Sequence, residues 1–404
     1  TYHKTTSTGA IESVTGTIGP LPLRCQNPTT KVVAMGRVAI VALDEPMGGL
    51  PGQTQIVKIS ARRRAPTTNR TPPAPQSTSP RGSGAPVVVA APPSPAAPAD
   101  LQVSSELLRR TRFEPSGIVW VAAIDRYVLV SDDTGTKKQD DHAPWLFTMS
   151  ASGAVDPQPL VVTGLDELND IESITTDGAG GLWLMSSQSE SKKGKRPENR
   201  RRLVHVVFAK SGEVKADKLV DFVGMLDAAP ATTRAALGVL DTSMLDIEGL
   251  AFRDGALYFG LKSPVDADGS AMIWRVAAPD KLLAGDLVGA KLTPWSKVKL
   301  TVEADGRKVP AGIADMVFWD SDTLVIAVTA SGAEAKVEAG AIYVARATAG
   351  MLAPVHVRTF PGLKPEGIAR GPKDTLAVVF DRGTDAAQWV QIDLDRFKAE
   401  NAKP

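Results

Sequence analysis

A chain of 404 residues with 46 Lys+Arg against 45 Asp+Glu, a formal charge of +1, presents no net field to draw in nucleic acid or an anionic membrane. Its 43% hydrophobic content suits a packed globular core, but no run of about 18 apolar residues is present to cross a bilayer. Cys25 is the only cysteine, which excludes an intrachain disulfide and a cysteine metal cluster.

The chain begins at Thr1 rather than Met, so a targeting signal is unreadable. Residues 1–64 hold two strand-like stretches, Lys31 to Leu43 and Thr54 to Ile59, around a turn region from Pro46 to Gly52. No motif assigns them a function; docking of a partner protein through this N-terminal tail is one expectation. Residues 65–100 are rich in Pro, Ala, Ser and Thr. Such composition is extended and semi-rigid and reads as a linker. Pro/Ala-rich spacers are common between an export signal or anchor and a domain outside the membrane. The expected location is therefore exported, periplasmic or extracellular.

Residues 101–397 form the body, followed by a short tail, 398–404. Five phrases recur in the body: Ser116-Gly117-Ile118, Glu172-Ser173-Ile174, Glu248-Gly249-Leu250, Asp315-Met316-Val317 and Glu366-Gly367-Ile368. Each precedes a strand-like run: Tyr127 to Val130, Leu182 to Met185, Ala256 to Phe259, Thr323 to Ala327 and Thr375 to Val379. The phrases begin 56, 76, 67 and 51 residues apart, somewhat longer than the roughly 40 to 50 residues of a four-stranded propeller blade. The longest interval holds an apolar pattern from Asp221 to Leu240, broken at Pro230, that predicts one or two helices. Turn signals such as Asp177-Gly178, Asp254-Gly255 and Ser331-Gly332 separate the runs. Outer strands are expected at Leu203 to Phe208, Met272 to Val276, Ala341 to Ala345 and Trp389 to Ile392. Many short strands without alternating helices argue for an all-β fold, and a repeat argues for closure into a ring. The expectation is a single β-propeller of five or six blades, a sixth being assembled from Leu101 to Arg112 and the C-terminal strand.

The acidic residues of the phrases are the first candidate site. Glu172, Glu248, Asp315 and Glu366 would converge on the channel, with Asp170 and Asp246 just before two of them. Carboxylates this close cannot all ionise without a counter-charge. A hard cation, Ca2+ or another divalent ion, is the natural one, and it could polarise an ester or phosphoryl oxygen and activate water. The alternative is that each acid accepts hydrogen bonds from backbone N–H groups of the next blade and locks the ring.

The second candidate is a basic loop running from Lys192 to Arg202. Lys193, Lys195, Arg200 and Arg201 would recruit a small anionic substrate or ligand if the loop folds over the channel mouth. A solvated hairpin tip is the alternative. Without aromatic interleaving the loop does not read as a nucleic-acid site. Asp132-Asp133, Asp140, Asp141 and His142 are lesser candidates, as are Asp266-Ala267-Asp268-Gly269, His205 and His356. No G-x-S-x-G elbow, Walker A loop or H-E-x-x-H is present, so catalytic residues are not assigned.

Two segments carry a resemblance. One is Asp170-Ile171-Glu172-Ser173-Ile174 with Ser187-Gln188-Ser189, Lys193-Gly194-Lys195 and Arg200-Arg201-Arg202; the other is Asp246-Ile247-Glu248-Gly249-Leu250 with Gly260-Leu261-Lys262-Ser263-Pro264. Over about residues 110 to 395 the chain resembles an uncharacterised bacterial propeller-like family, domain of unknown function 3616. More distantly it is similar to the esterase-like and phytase-like propellers, which brings metal-dependent ester or phosphoester hydrolysis into view. Gln188 stands where the family often has His, and Lys262 where it often has Arg. If that His takes part in chemistry, this chain lacks it. A non-catalytic binding scaffold at the cell envelope, with a purely structural acidic ring, is the rival expectation.

Overall fold

In a computed structural model the described residues are 96–132, 144–191, 193–208, 213–304, 306–330, 339–383 and 385–394, together with the backbone of five strands between 13 and 60. The linker before residue 96, the tail 398–404, the Ser331-Gly332 turn and the candidates Asp133, Asp140, Asp141 and His142 lie outside them. The chain divides into two compact units, Thr1–Ala90 and Ala91–Pro404. In the first, Ser13–Ile18 pairs with Leu21–Gln26, and Val32–Met35, Val38–Leu43 and Gln55–Ser60 form a three-stranded antiparallel sheet.

The second unit is a five-bladed β-propeller. Blade 1 comprises Pro115–Val121, Arg126–Ser131, Trp145–Met149 and Leu160–Thr163, and blade 2 Ile171–Thr176, Gly181–Ser186, Arg202–Phe208 and Val214–Asp221. Blade 3 comprises Asp246–Arg253, Ala256–Ser263, Ser270–Val276 and Leu292–Lys299, and blade 4 Arg307–Phe318, Thr323–Ala330, Ala339–Arg346 and Val355–Pro361. Blade 5 has Lys364–Arg370, Thr375–Asp381 and Gln388–Asp393 from the C-terminal end, and takes its outer strand, Ala99–Asp100, from the start of the unit.

Alternation of apolar residues along these strands fills five separate cores, one at each blade interface. Leu129, Phe147, Ala377 and Val379 join blades 5 and 1; Val128, Leu146, Leu184 and Val204 join blades 1 and 2. Further clusters join blades 2 and 3, 3 and 4, and 4 and 5. Five blades with five interfaces make a closed ring. Radial closure of this kind leaves each blade only a short outer edge.

A sixth blade is not formed. The segment expected to build it contains Ser105–Arg110, a short helix whose Leu107 N–H is capped by Ser104 Oγ at 3.2 Å. A serine before Glu-Leu-Leu-Arg-Arg favours a helix start over a strand. Leu107 then wedges into the core between blades 5 and 1. The predicted helical insertion is present as Phe222–Ala228 and Ala231–Ala236. Asp221 caps the first of these at Gly224 N–H (2.8 Å), and Phe222, Val223 and Leu226 pack between blades 2 and 3.

Candidate site at the channel mouth

Every inner strand carries a register slip against its neighbour at the same place. The slips lie at Pro115/Gly117, Ile171/Ser173, Ile247/Gly249, Ile313/Asp315 and Pro365/Gly367. The skipped residues are Ser116, Glu172, Glu248, Ala314 and Glu366. A bulge re-aims the side chain it carries, here at one layer of the ring. The next layer is Gly117, Ser173, Gly249, Asp315 and Gly367. It has little room: a Cβ added to Gly367 would lie 2.9 Å from Gly117 Cα, and one added to Gly117 would lie 3.1 Å from Ser173 Cα.

Asp315 therefore belongs one layer beyond the three glutamates, because blade 4 puts Ala314 at its bulge. Its carboxylate is spent on backbone. Oδ1 accepts from Met316 N–H at 2.8 Å and Oδ2 from Ile368 N–H of blade 5 at 2.7 Å, with Leu250 N–H of blade 3 as a further donor. Burial raises its pKa well above the usual range, and these three donors pull the other way. In blade 1 the matching tie is Ser116 Oγ, which donates to Ile171 O of blade 2.

The remaining acids form a cluster at the mouth. Lys262 Nζ donates to Glu248 Oε1 at 2.5 Å, and Lys364 Nζ lies 3.4 Å from Glu366 Oε1. Arg200 is paired with Asp170, and it also donates to Ser189 Oγ at 3.2 Å. Ser187 Oγ donates to the same Asp170 carboxylate. Asp170 itself has φ of 55° and is held by Asp132 O, which accepts from its N–H at 2.9 Å. Left-handed geometry at a non-glycine residue is a strain that recurs at functional sites.

Among the described residues, six carboxylates, Asp132, Asp170, Glu172, Asp246, Glu248 and Glu366, thus face three cations, Lys262, Lys364 and Arg200. Glu172, Asp132 and Asp246 keep partial exposure at the mouth, yet protein surrounds them closely. Burial lifts the pKa of Asp132 and Glu172 well above the usual range, reinforced by neighbouring carboxylates. For Glu248 burial does the same against the opposing pull of Lys262. Asp246 is raised to about 6 by burial, with Lys262 opposing and Asp170 assisting. The surrounding carboxylates more than offset the burial of Lys262, whose pKa is raised well above its ordinary value. Two oxygens in the cluster, Glu248 Oε2 and Asp246 Oδ1, are buried without a hydrogen-bond partner. Among the described residues no three His, Cys, Asp or Glu side chains are already arranged to hold a metal ion.

The basic loop is used differently from expectation. Arg201 makes a two-pronged pair with Asp221, and Arg200 points into the acidic cluster rather than toward an incoming anion. Arg196 donates to Thr242 O at 2.6 Å and Arg202 to Glu167 O at 2.8 Å. Lys193 and Lys195 alone of the four candidates are exposed. Gln188 is fully buried and turned away from the mouth: Nε2 donates to Ser186 O at 2.8 Å and Oε1 accepts from Val223 N–H at 3.3 Å. A side chain at that position secures backbone. His205 bonds Asp177 (3.0 Å) and Asp217 (3.3 Å) on blade 2, and His356 bonds Thr359 Oγ1 at 2.9 Å. Asp266-Ala267-Asp268-Gly269 is a hairpin turn, with Asp268 Oδ1 accepting from Ser270 N–H at 2.9 Å. Lys262 is the residue the repeat pattern alone misses; its signal is a lysine following Gly260-Leu261, at the mouth end of blade 3's second strand.

No family profile matches the chain, and no curated protein matches it. Solved β-propellers do. An exo-β-1,3-galactanase from Phanerochaete chrysosporium aligns at 12% identity and a TM-score of 0.43 over 74% of this chain, which spans 64% of that protein's length. An endo-arabinase from Bacteroides thetaiotaomicron aligns at 11% identity and a TM-score of 0.40, over 73% of this chain and 97% of that one. The soluble aldose sugar dehydrogenase from Escherichia coli aligns at 11% and 0.39, over 73% and 98%. Such likenesses concern fold alone, and the chemistry of this chain is read from its own residues.

Proposed function

We propose that the channel mouth is a cation-binding site, in which Glu172, Asp246, Glu248 and Glu366 hold a divalent cation, calcium first, and that this cation serves hydrolysis of an ester or phosphoester. The observation that supports the reading most is the pair of buried, partnerless oxygens, Glu248 Oε2 and Asp246 Oδ1, inside a cluster in which carboxylates outnumber cations among the described residues. An unmet anionic oxygen in a buried site is costly unless a ligand or proton satisfies it. A hard cation prefers such oxygens and, once bound, would polarise a substrate oxygen. Of the four basic candidates, Lys193 and Lys195 are exposed and would attract an anionic substrate. The Pro/Ala-rich stretch 65–100 supports an exported protein, and the D-I-E and E-G-L phrases support kinship with the propeller-like family named above.

A second reading, an envelope scaffold with a structural ring, is favoured by Asp315 and Ser116, whose side chains tie neighbouring blades through backbone atoms. Calcium titration of metal-stripped protein, followed by thermal unfolding, separates the two. A ligand that binds only the folded state adds about 2.7 kcal/mol at a hundred times its dissociation constant. Stabilisation that vanishes in Glu248→Gln, followed by turnover in an ester and phosphoester screen, supports the enzyme. No shift with calcium, magnesium, manganese or zinc supports the scaffold.

A further inference from the structure

Blade 3 differs from the other blades in its inner pair of strands. Asp246 pairs with Ser263 and Ile247 with Leu261, which skips Lys262; Ile247 and Gly249 pair with Leu261 and Gly260, which skips Glu248. Two bulges thus face each other, one on each strand. Among the described residues the inner pairs of blades 1, 2, 4 and 5 show a single slip. A bulge re-aims its side chain, and here the two side chains meet: Lys262 Nζ donates to Glu248 Oε1 at 2.5 Å. Blade 4 presses on the same point, since a Cβ added to Gly312 would lie 2.7 Å from Lys262 Cα. The backbone of Lys262 is therefore fixed, while its four-carbon stem can still rotate. The side chain is 25% exposed, against 5% for Glu248.

Glu248 is thus shared. A tethered ammonium holds Oε1, Oε2 has no partner, and neither has Asp246 Oδ1. Glu366, Asp246 and Glu172 also act on the Lys262 charge, and these are the acids assigned above to the cation. A hard cation takes a carboxylate by one oxygen or by both. With one, it sits across a single carboxylate from Lys262 and is repelled; with both, it evicts the ammonium. Either way two positive charges oppose each other at one acid.

Given the cation reading of the mouth, on which this rests, we infer that Lys262 is a tethered competitor that sets the affinity of the site: its ammonium and a divalent cation contend for Glu248, so each weakens the hold of the other. In the free protein Lys262 stands in for the cation. A cation enters at the concentration that outcompetes it, and Lys262 then swings to solvent.

The test is isothermal titration of the metal-stripped full chain with calcium chloride at neutral pH and constant ionic strength, in the parent, Lys262→Met and Lys262→Arg. Lys262→Met is expected to bind calcium at least about tenfold more tightly than the parent, a modest share of what one unit charge contributes at this range. Lys262→Arg keeps the charge and should keep the parent's affinity. Acetylation of the parent by acetic anhydride, read by mass spectrometry, needs no variant to fold: saturating calcium should raise modification of Lys262 severalfold and leave Lys193 and Lys195 unchanged. Calcium binding by Lys262→Met equal to or weaker than the parent's overturns the inference and leaves the cation reading standing. So does equal tightening in Lys262→Arg, or Lys262 modification that does not change with calcium. Binding in none of the three chains overturns both readings together.

Discussion

Asp315→Ala should open the ring at its most constrained layer. The substitution leaves the N–H groups of Met316, Ile368 and Leu250 without their acceptor. Asp315 is 1% exposed, so water cannot easily replace it. A buried donor left unsatisfied costs about 1–3 kcal/mol. Three such donors, partly relieved by relaxation, give about 3–5 kcal/mol, at the upper end of single-residue effects. For a unit of this size, 1 kcal/mol moves the midpoint by about 2 °C, so a drop of about 6–10 °C is expected. Asp315→Asn retains one acceptor oxygen and should lose about half as much. Thermal unfolding followed by circular dichroism measures both, with Glu366→Gln as a mouth control. A loss in Asp315→Ala no greater than in Glu366→Gln would show that the carboxylate does not tie blades 3, 4 and 5 together.

Three further outcomes follow from the same geometry. Asp246 has a folded pKa of about 6 against an ordinary value of 3.8. The native state therefore binds the extra proton between these values, and this group's contribution, worth about 3 kcal/mol, is fully present below pH 3.8 and lost as pH rises through about 6. Asp246→Asn should remove that difference when urea midpoints at pH 4 and pH 7 are compared with the parent; an unchanged difference refutes it. Lys262→Met strands Glu248 and should cost about 3–5 kcal/mol at neutral pH, with partial recovery at pH 5 as the cluster protonates. Equal losses at both pH values would count against Lys262 as the internal counter-charge. Gly371→Ala places a methyl group against the fully buried Tyr127 ring, 2.9 Å from Cζ. Such overpacking costs about 1–3 kcal/mol, and a neutral result in chemical denaturation would show that the ring moves freely.

The blade repeat was legible because each blade must alternate apolar residues and turn sharply, and both demands leave marks in the sequence. The helices after Asp221 were legible from an apolar pattern of helical spacing broken at Pro230. The register of blade 4 was not. Ile313-Ala314-Asp315 offers one acid near the expected place, but the bulge that aims side chains at the mouth is a backbone property, and it falls on Ala314. The fate of the basic loop was equally hidden. Arg200 and Arg201 look available until folding brings them to Asp170 and Asp221, acids 30 and 20 residues earlier and later in the chain. Closure of blade 5 by Ala99–Asp100 hid inside a stretch whose composition reads as linker, because a two-residue outer strand needs no apolar pattern of its own.

Within one ring the structure offers two contrasting acids, and the contrast bears on function. Asp315 is what an acid looks like when its role is to hold blades together: both oxygens are engaged, all by backbone donors. Glu248, 4% exposed, has one oxygen on Lys262 and one on nothing. Had the mouth been selected for stability alone, an apolar residue at 248 would avoid both the buried charge and the lysine that balances it. Instead the bulges deliver Glu172, Glu248 and Glu366 to one layer, the loops before blade 2 and after the second strand of blade 1 add Asp170 and Asp132, and the start of blade 3's inner strand adds Asp246. That arrangement costs stability at neutral pH in proportion to the raised pKa values it produces. A site that binds a positive charge recovers this cost on occupancy, because each carboxylate then ionises against a partner. The magnitude of stabilisation by a bound cation should therefore grow from pH 5 to pH 8, whereas a structural ring would show the same unfolding midpoint with and without the cation at every pH.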